Sequence, residues 1–228
     1  MHVVQRGVNR SRCFDGLQAY HRYLALLEEL AAAHECDVHA YVLMTNHVHL
    51  LITPRRPDGI SLVMKNLGQQ YVQGFNRTRA RSGPLWEGRF HSSLVDSAGY
   101  LLRCQRYIEL NPVRAGMVAW PELYRWSSYR ANALGEASSV VSAHPHFLAL
   151  GSTEEDRRRR YRRLFGMHVD GEIESIRRAL NTGYPLGGVE FLAKLKELDS
   201  RLVAPHRGRP RRAQDAQRDT FLHAGKGV

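Results

Sequence analysis

The chain has 228 residues, 43% hydrophobic and 24% charged, which is globular composition with ample material for a core and room for one domain plus an appendage. Lys and Arg number 33 against 22 Asp and Glu, a formal charge of +11, and all but four of the 33 are Arg. A surplus of that size on a globular chain points to a polyanionic partner, because each phosphate contacted releases condensed counterions. Cys13, Cys36 and Cys104 are widely spaced, with no C-x-x-C, so they read as reduced core thiols and exclude a disulfide frame or a zinc ribbon. No apolar run approaches the ~18 residues of a membrane span, and MHVVQRGVNR lacks the layout of a signal peptide. The expectation is a soluble, cytoplasmic protein with no membrane partner.

In chain order, residues 2–5 read as a strand and residues 17–34 as an amphipathic helix with Leu24, Leu27 and Leu30 along one stripe. Two β-rich runs follow, 37–43 and 47–53, separated by Met44-Thr45-Asn46, which predicts an antiparallel hairpin at the centre of a sheet. A second helix is expected over 60–77, a short strand over 92–95, and a third helix over 98–110 that Asn111-Pro112 stops. The order β-α-β-β-α-β-α predicts an α+β fold close to a ferredoxin-like arrangement, an antiparallel sheet with packed helices. From about residue 131 the pattern changes to short helices at 144–150, 154–165 and 173–180, the second carrying the run Arg157 to Arg160. We divide the chain into a core over 1–130, a helical extension over 131–200 and a flexible basic tail over 201–228, whose seven cations against two Asp give it +5.

Three segments could carry chemistry. In Asn46-His47-Val48-His49-Leu50-Leu51-Ile52, strand alternation puts both imidazoles on one face and Val48, Leu50 and Ile52 on the other. Such a pair can form part of a metal site, although two ligands are too few, and it can equally be two polar residues on an exposed sheet face. Tyr107 and Asn111 stand at i and i+4 at the end of the third helix. A tyrosine there can serve as a phosphodiester nucleophile with Asn111 as a nearby oxygen ligand, or as a core aromatic on a stripe with Leu101, Cys104 and Ile108. Leu85-Trp86-Glu87-Gly88-Arg89-Phe90 interleaves aromatic and Arg side chains as single-stranded nucleic-acid binders do, and it suits a structural loop equally well. Arg6-Gly7-Val8-Asn9-Arg10 is a similar case, with a Gly that lets a backbone approach a ligand between two Arg.

Taken in order, Val4-Gln5-Arg6-Gly7-Val8-Asn9-Arg10, Val42-Leu43-Met44-Thr45-Asn46-His47-Val48-His49-Leu50-Leu51, Leu85-Trp86-Glu87-Gly88-Arg89-Phe90, Tyr107-Ile108-Glu109-Leu110-Asn111-Pro112-Val113-Arg114-Ala115-Gly116 and Trp126-Ser127-Ser128-Tyr129 resemble the single-tyrosine HUH transposases, specifically the REP-associated tyrosine transposases of bacteria. The resemblance covers about residues 2–130. It implies that His47, His49 and Asn111 bind a divalent metal, Mg²⁺ or Mn²⁺, and that Tyr107 is the nucleophile. It implies cleavage and rejoining of single-stranded DNA beside repetitive extragenic palindromes through a 5′-phosphotyrosine, with Arg6, Arg10, Trp86 and Arg89 as DNA contacts. The rival readings are a non-catalytic binder of palindromic hairpins and a metal nuclease that uses water. The resemblance leaves a monomer and a homodimer equally open. Relatives usually carry several residues before the first strand, so it also implies a late-called start or a shortened edge strand.

Overall fold

A computed structural model of the chain describes residues 1–96, 99–166 and 170–203. Strand β1 (His2–Arg6) leads through a one-turn 3₁₀ segment to helix α1 (Leu17–Ala33). The hairpin β2 (Cys36–Leu43) and β3 (His47–Pro54) follows, then α2 (Gly59–Thr78) and the short β4 (His91–Ser93). The strands form one antiparallel sheet in the order β2-β3-β1-β4, the arrangement expected of a ferredoxin-like fold. Two expectations are corrected by that order. β1 is an interior strand paired on both sides rather than an edge, and β2, expected near the centre, lies at the edge. The exposed side of β2 is covered by later chain: Leu43 N donates to Trp126 O, Ser128 N to Tyr41 O and Ser142 N to Val38 O. Those bonds satisfy an edge that would otherwise be open to a foreign strand.

After β4, α3 (Leu101–Glu109) ends two residues before Asn111, and α4 (Asn111–Arg114) adds a single turn where the sequence suggested a stop. The reason is local. Pro112 has no N–H for the carbonyl of Ile108, and the Asn111 side chain supplies the missing donor at 3.1 Å. Beyond residue 131 come α5 (Pro145–Leu148), α6 (Glu154–Phe165), α7 (Asp170–Thr182) and α8 (Val189–Leu198). The first three lie near the expected positions, and α8 is additional. Helices α1 and α2 pack on each other and on one face of the sheet, over the fully buried Val3, Val48, Leu50 and Ile52. The opposite face carries α3, and α7 packs beside it against β4, so Ile176, Ala179 and Leu180 join the main core. A second small cluster of Tyr129, Ala133, Phe147 and Tyr161 lies under α6. All three cysteines are buried and unpaired. No helix among the described residues is long and apolar enough to cross a membrane. The predicted tail lies outside the described residues from 204 onward.

Gly7 accounts for the junction between β1 and the loop that follows. Its N–H donates to Asn46 O at 2.8 Å, and a Cβ there would lie 2.3 Å from Ser11 O and 2.6 Å from Cys13 Sγ. The close approach expected at this glycine is therefore to the chain's own backbone, not to a ligand. Gly7→Ala is expected to destabilise the protein by about 2–3 kcal/mol, since the nearest obstacle is a carbonyl that cannot swing aside. Urea unfolding with an unchanged m-value measures this directly.

Candidate active site at the end of the sheet

The hairpin register fixes the site. In the β1–β3 pairing Arg6 stands opposite His47 and Val4 opposite His49, with His2 opposite Leu51. Cross-strand partners share a face, so His2, His47, His49 and Arg6 all project to the α3 side. The rings of His47 and His49 are 5.1 Å apart between centroids. The ring of Tyr107, in the last turn of α3, stands 6.1 Å from His49 and 5.9 Å from His2. Tyr107 and His49 are 6% and 5% exposed, and His47 is half-buried.

Each histidine has one nitrogen committed. His47 Nδ1 lies 2.7 Å from Asn46 Oδ1, an acceptor only, so Nδ1 carries the hydrogen and Nε2 keeps its lone pair. The Asn46 amide is oriented by its own Nδ2, which donates to Arg10 O. His49 Nδ1 lies 2.9 Å from His2 Nε2. Burial holds all three imidazoles neutral: His47 is lowered to about 4 by desolvation and then by Arg6, His2 to about 3, and His49 well below its ordinary value. Neutral imidazole is the protonation state that a divalent metal needs, and His47 offers it with Nε2 free.

The end of α3 is clamped from the other side. Asn111 Nδ2 donates to the carbonyls of Tyr107 and Ile108, each at 3.1 Å, which leaves Oδ1 as its remaining polar atom. Arg114 Nη2 donates to the same Tyr107 carbonyl at 2.8 Å, and its guanidinium carbon sits 4.0 Å over the Tyr107 ring. Burial lowers Arg114 to about 10, still cationic at neutral pH. The donor set His47 Nε2, His49 Nε2 and Asn111 Oδ1 is chemically suited to a divalent metal but carries no negative charge. No group of three or more His, Cys, Asp or Glu side chains among the described residues is placed to hold a metal ion. Such a set leaves the metal's charge for phosphate oxygens to balance, in a setting that already presents Arg6 and Arg114.

The predicted DNA contacts separate into two groups. Val8 N donates to Leu85 O and Glu87 N to Arg6 O, which ties the loop bearing Arg89 to the end of β1. Arg6, Arg10 and Arg89 thus gather at the His47 end of the sheet, with Arg10 and Arg89 exposed. Trp86 does not join them. Its ring packs against Tyr23 and Tyr71 in the core and is 8% exposed, so it has no face left for a base. His2, Asn46 and Arg114 contact the candidate residues, although the sequence motifs did not single them out. His2 reaches the site through the β1–β3 pairing, which places residue 2 diagonally beside His49.

Residues 1–111 match the family described as IS200-like transposases. Among solved structures, the chain is similar to a REP-associated tyrosine transposase bound to a REP hairpin, with 16% identity and a TM-score of 0.46 over 63% of this chain and 84% of that one. Comparison with curated proteins gives no match. Residues 1–111, just under half of the chain, are thus similar to the IS200-like transposases.

Proposed function

We propose that this chain is a metal-dependent nickase and transposase that cuts and rejoins single-stranded DNA beside palindromic, REP-like hairpins, with Tyr107 as nucleophile. In the reaction, the Tyr107 hydroxyl oxygen attacks the scissile phosphorus and loses its proton, and the bond from phosphorus to the 3′ oxygen breaks. The products are a 5′-phosphotyrosine and a 3′-OH that takes up a proton. The reverse attack by a 3′-OH rejoins strands without ATP, because the phosphodiester energy is kept in the tyrosyl link. A Mg²⁺ or Mn²⁺ ion held by His47, His49 and Asn111 supplies Lewis-acid polarisation of the phosphate. Arg114 holds the tyrosine ring and the end of α3, and Arg6 adds positive charge where the phosphate enters.

The observation that carries this reading is the meeting of three things at one sheet end: two neutral imidazoles on one strand face, a tyrosine ring 6.1 Å from one of them, and a guanidinium stacked on that tyrosine. The 6% exposure of Tyr107 favours a second reading, a water-using nuclease in which the tyrosine only packs. Oligonucleotides carrying palindromes from the flanks of the gene, incubated with Mn²⁺ and run on a denaturing gel, distinguish the two. A protein–DNA band lost with EDTA supports the tyrosine reaction. Free cut strands without an adduct support the nuclease, and shifted but uncut DNA on a native gel supports a non-catalytic binder. His47→Ala is expected to weaken Mn²⁺ binding by more than about 100-fold, beyond the loss typical of an outer-shell partner. Manganese titration followed by electron paramagnetic resonance checks it.

A further inference from the structure

His2 is fully buried, yet it is an imidazole in a place where an aliphatic side chain would pack. Its Nε2 lies 2.9 Å from His49 Nδ1, and its own Nδ1 has no hydrogen-bond partner among the described residues. A buried polar atom left without a partner is a cost that packing alone does not explain. The single hydrogen between the two rings has two possible owners. If His2 Nε2–H donates, neutral His49 carries its hydrogen on Nε2 and offers the site no lone pair. If His49 Nδ1–H donates to His2 Nε2, the His49 Nε2 lone pair is free and the His2 hydrogen sits on the unpartnered Nδ1.

We propose that His2 is a positioning residue that accepts the Nδ1–H of His49 and so fixes His49 in the tautomer and ring orientation that ligates a divalent metal. Asn46 does the same for His47 from the neighbouring position on the hairpin. The two ligands are thereby held by partners of different reach, one beside its histidine in sequence and one 47 residues away on β1. This inference rests on the metal-site reading above.

Three full-length proteins test it without DNA: the parent, His2→Leu and His2→Gln, whose amide oxygen can reach the position of the lost Nε2 acceptor. Affinity for Mn²⁺ is read by electron paramagnetic resonance, with thermal melting to confirm folding. The expected result is a 10–100-fold weaker Mn²⁺ affinity for His2→Leu and an affinity within about 3-fold of the parent for His2→Gln. An unchanged affinity in His2→Leu, or equal losses in both variants, overturns the proposal. If His2→Leu does not fold, ¹⁵N imidazole spectra of the Mg²⁺-saturated parent decide. His49 protonated at Nδ1 and bare at Nε2 supports the proposal, and the opposite tautomer overturns it. A parent that binds no Mn²⁺ at all refutes the metal site itself and this inference with it.

Discussion

Replacing Tyr107 by Phe is expected to lower strand cleavage by at least about 10³-fold while leaving hairpin binding within a factor of two. The size follows from removing the only atom that attacks phosphorus, since nucleophile deletions cost orders of magnitude more than losses of positioning groups. Binding is spared because the ring contacts with His2, His49 and Arg114 do not involve the hydroxyl. Melting temperature should be nearly unchanged for the same reason. Single-turnover cleavage and filter binding on the same preparation separate the two effects. Cleavage that persists in the Phe variant means that water attacks and Tyr107 only packs.

The second large effect concerns Glu109, two residues on from the tyrosine. Its carboxyl is fully buried and receives Ser128 Oγ at 2.6 Å, Asn132 Nδ2 at 2.8 Å and Tyr161 Oη at 2.8 Å. These three partners come from the segments that follow α4 and from α6, so this one side chain joins the end of α3 to the later helices. Arg106 adds to the joint through the Leu164 carbonyl and Glu172. Glu109→Ala removes an acceptor shared by three buried donors, of which Ser128 and Asn132 keep the carbonyls of Tyr41 and His39, and leaves a cavity, and is expected to cost about 3–5 kcal/mol.

Desolvation raises Glu109 to about 7, against the pull of its three hydrogen bonds. In the unfolded chain it titrates near 4.5, so between pH 4.5 and 7 the folded state binds the extra proton. Stability therefore falls as pH rises through that window, by about 3 kcal/mol at 1.36 kcal/mol per unit. Glu109→Gln mimics the neutral carboxyl and should remove this slope. The parent and the Gln variant should be matched near pH 4.5, and the Gln variant should be the more stable at pH 8. Urea midpoints across pH 4.5–8 give the comparison, and parallel curves would show that Glu109 does not titrate in this range.

The residues that define the candidate site were legible because they lie in contiguous motifs. Strand alternation put His47 and His49 on one face, and the i to i+4 spacing put Asn111 one turn from Tyr107, where its side chain caps the broken helix. The α+β order and the antiparallel sheet were legible from periodicity alone. What escaped was set by pairing between distant segments. Neither the interior position of β1 nor the contact of His2 with His49 has a local signature, since both depend on which strand lies next to β3. Trp86 reads the same beside an arginine whether its ring faces a base or packs on Tyr23 and Tyr71. The apolar stripe of α7 did not announce that it lies on the sheet rather than on its neighbouring helices.

The central claim is that a bond forms between the Tyr107 oxygen and a DNA 5′-phosphate. The direct measurement is to trap the adduct with Mn²⁺ and a hairpin-bearing single strand, digest it with trypsin and nuclease, and sequence the modified peptide by mass spectrometry. The account predicts a nucleotide phosphate on Tyr107 in the peptide 107–114. A modification on any other residue, or cut strands bearing a free 5′-phosphate with that peptide unmodified, would contradict it.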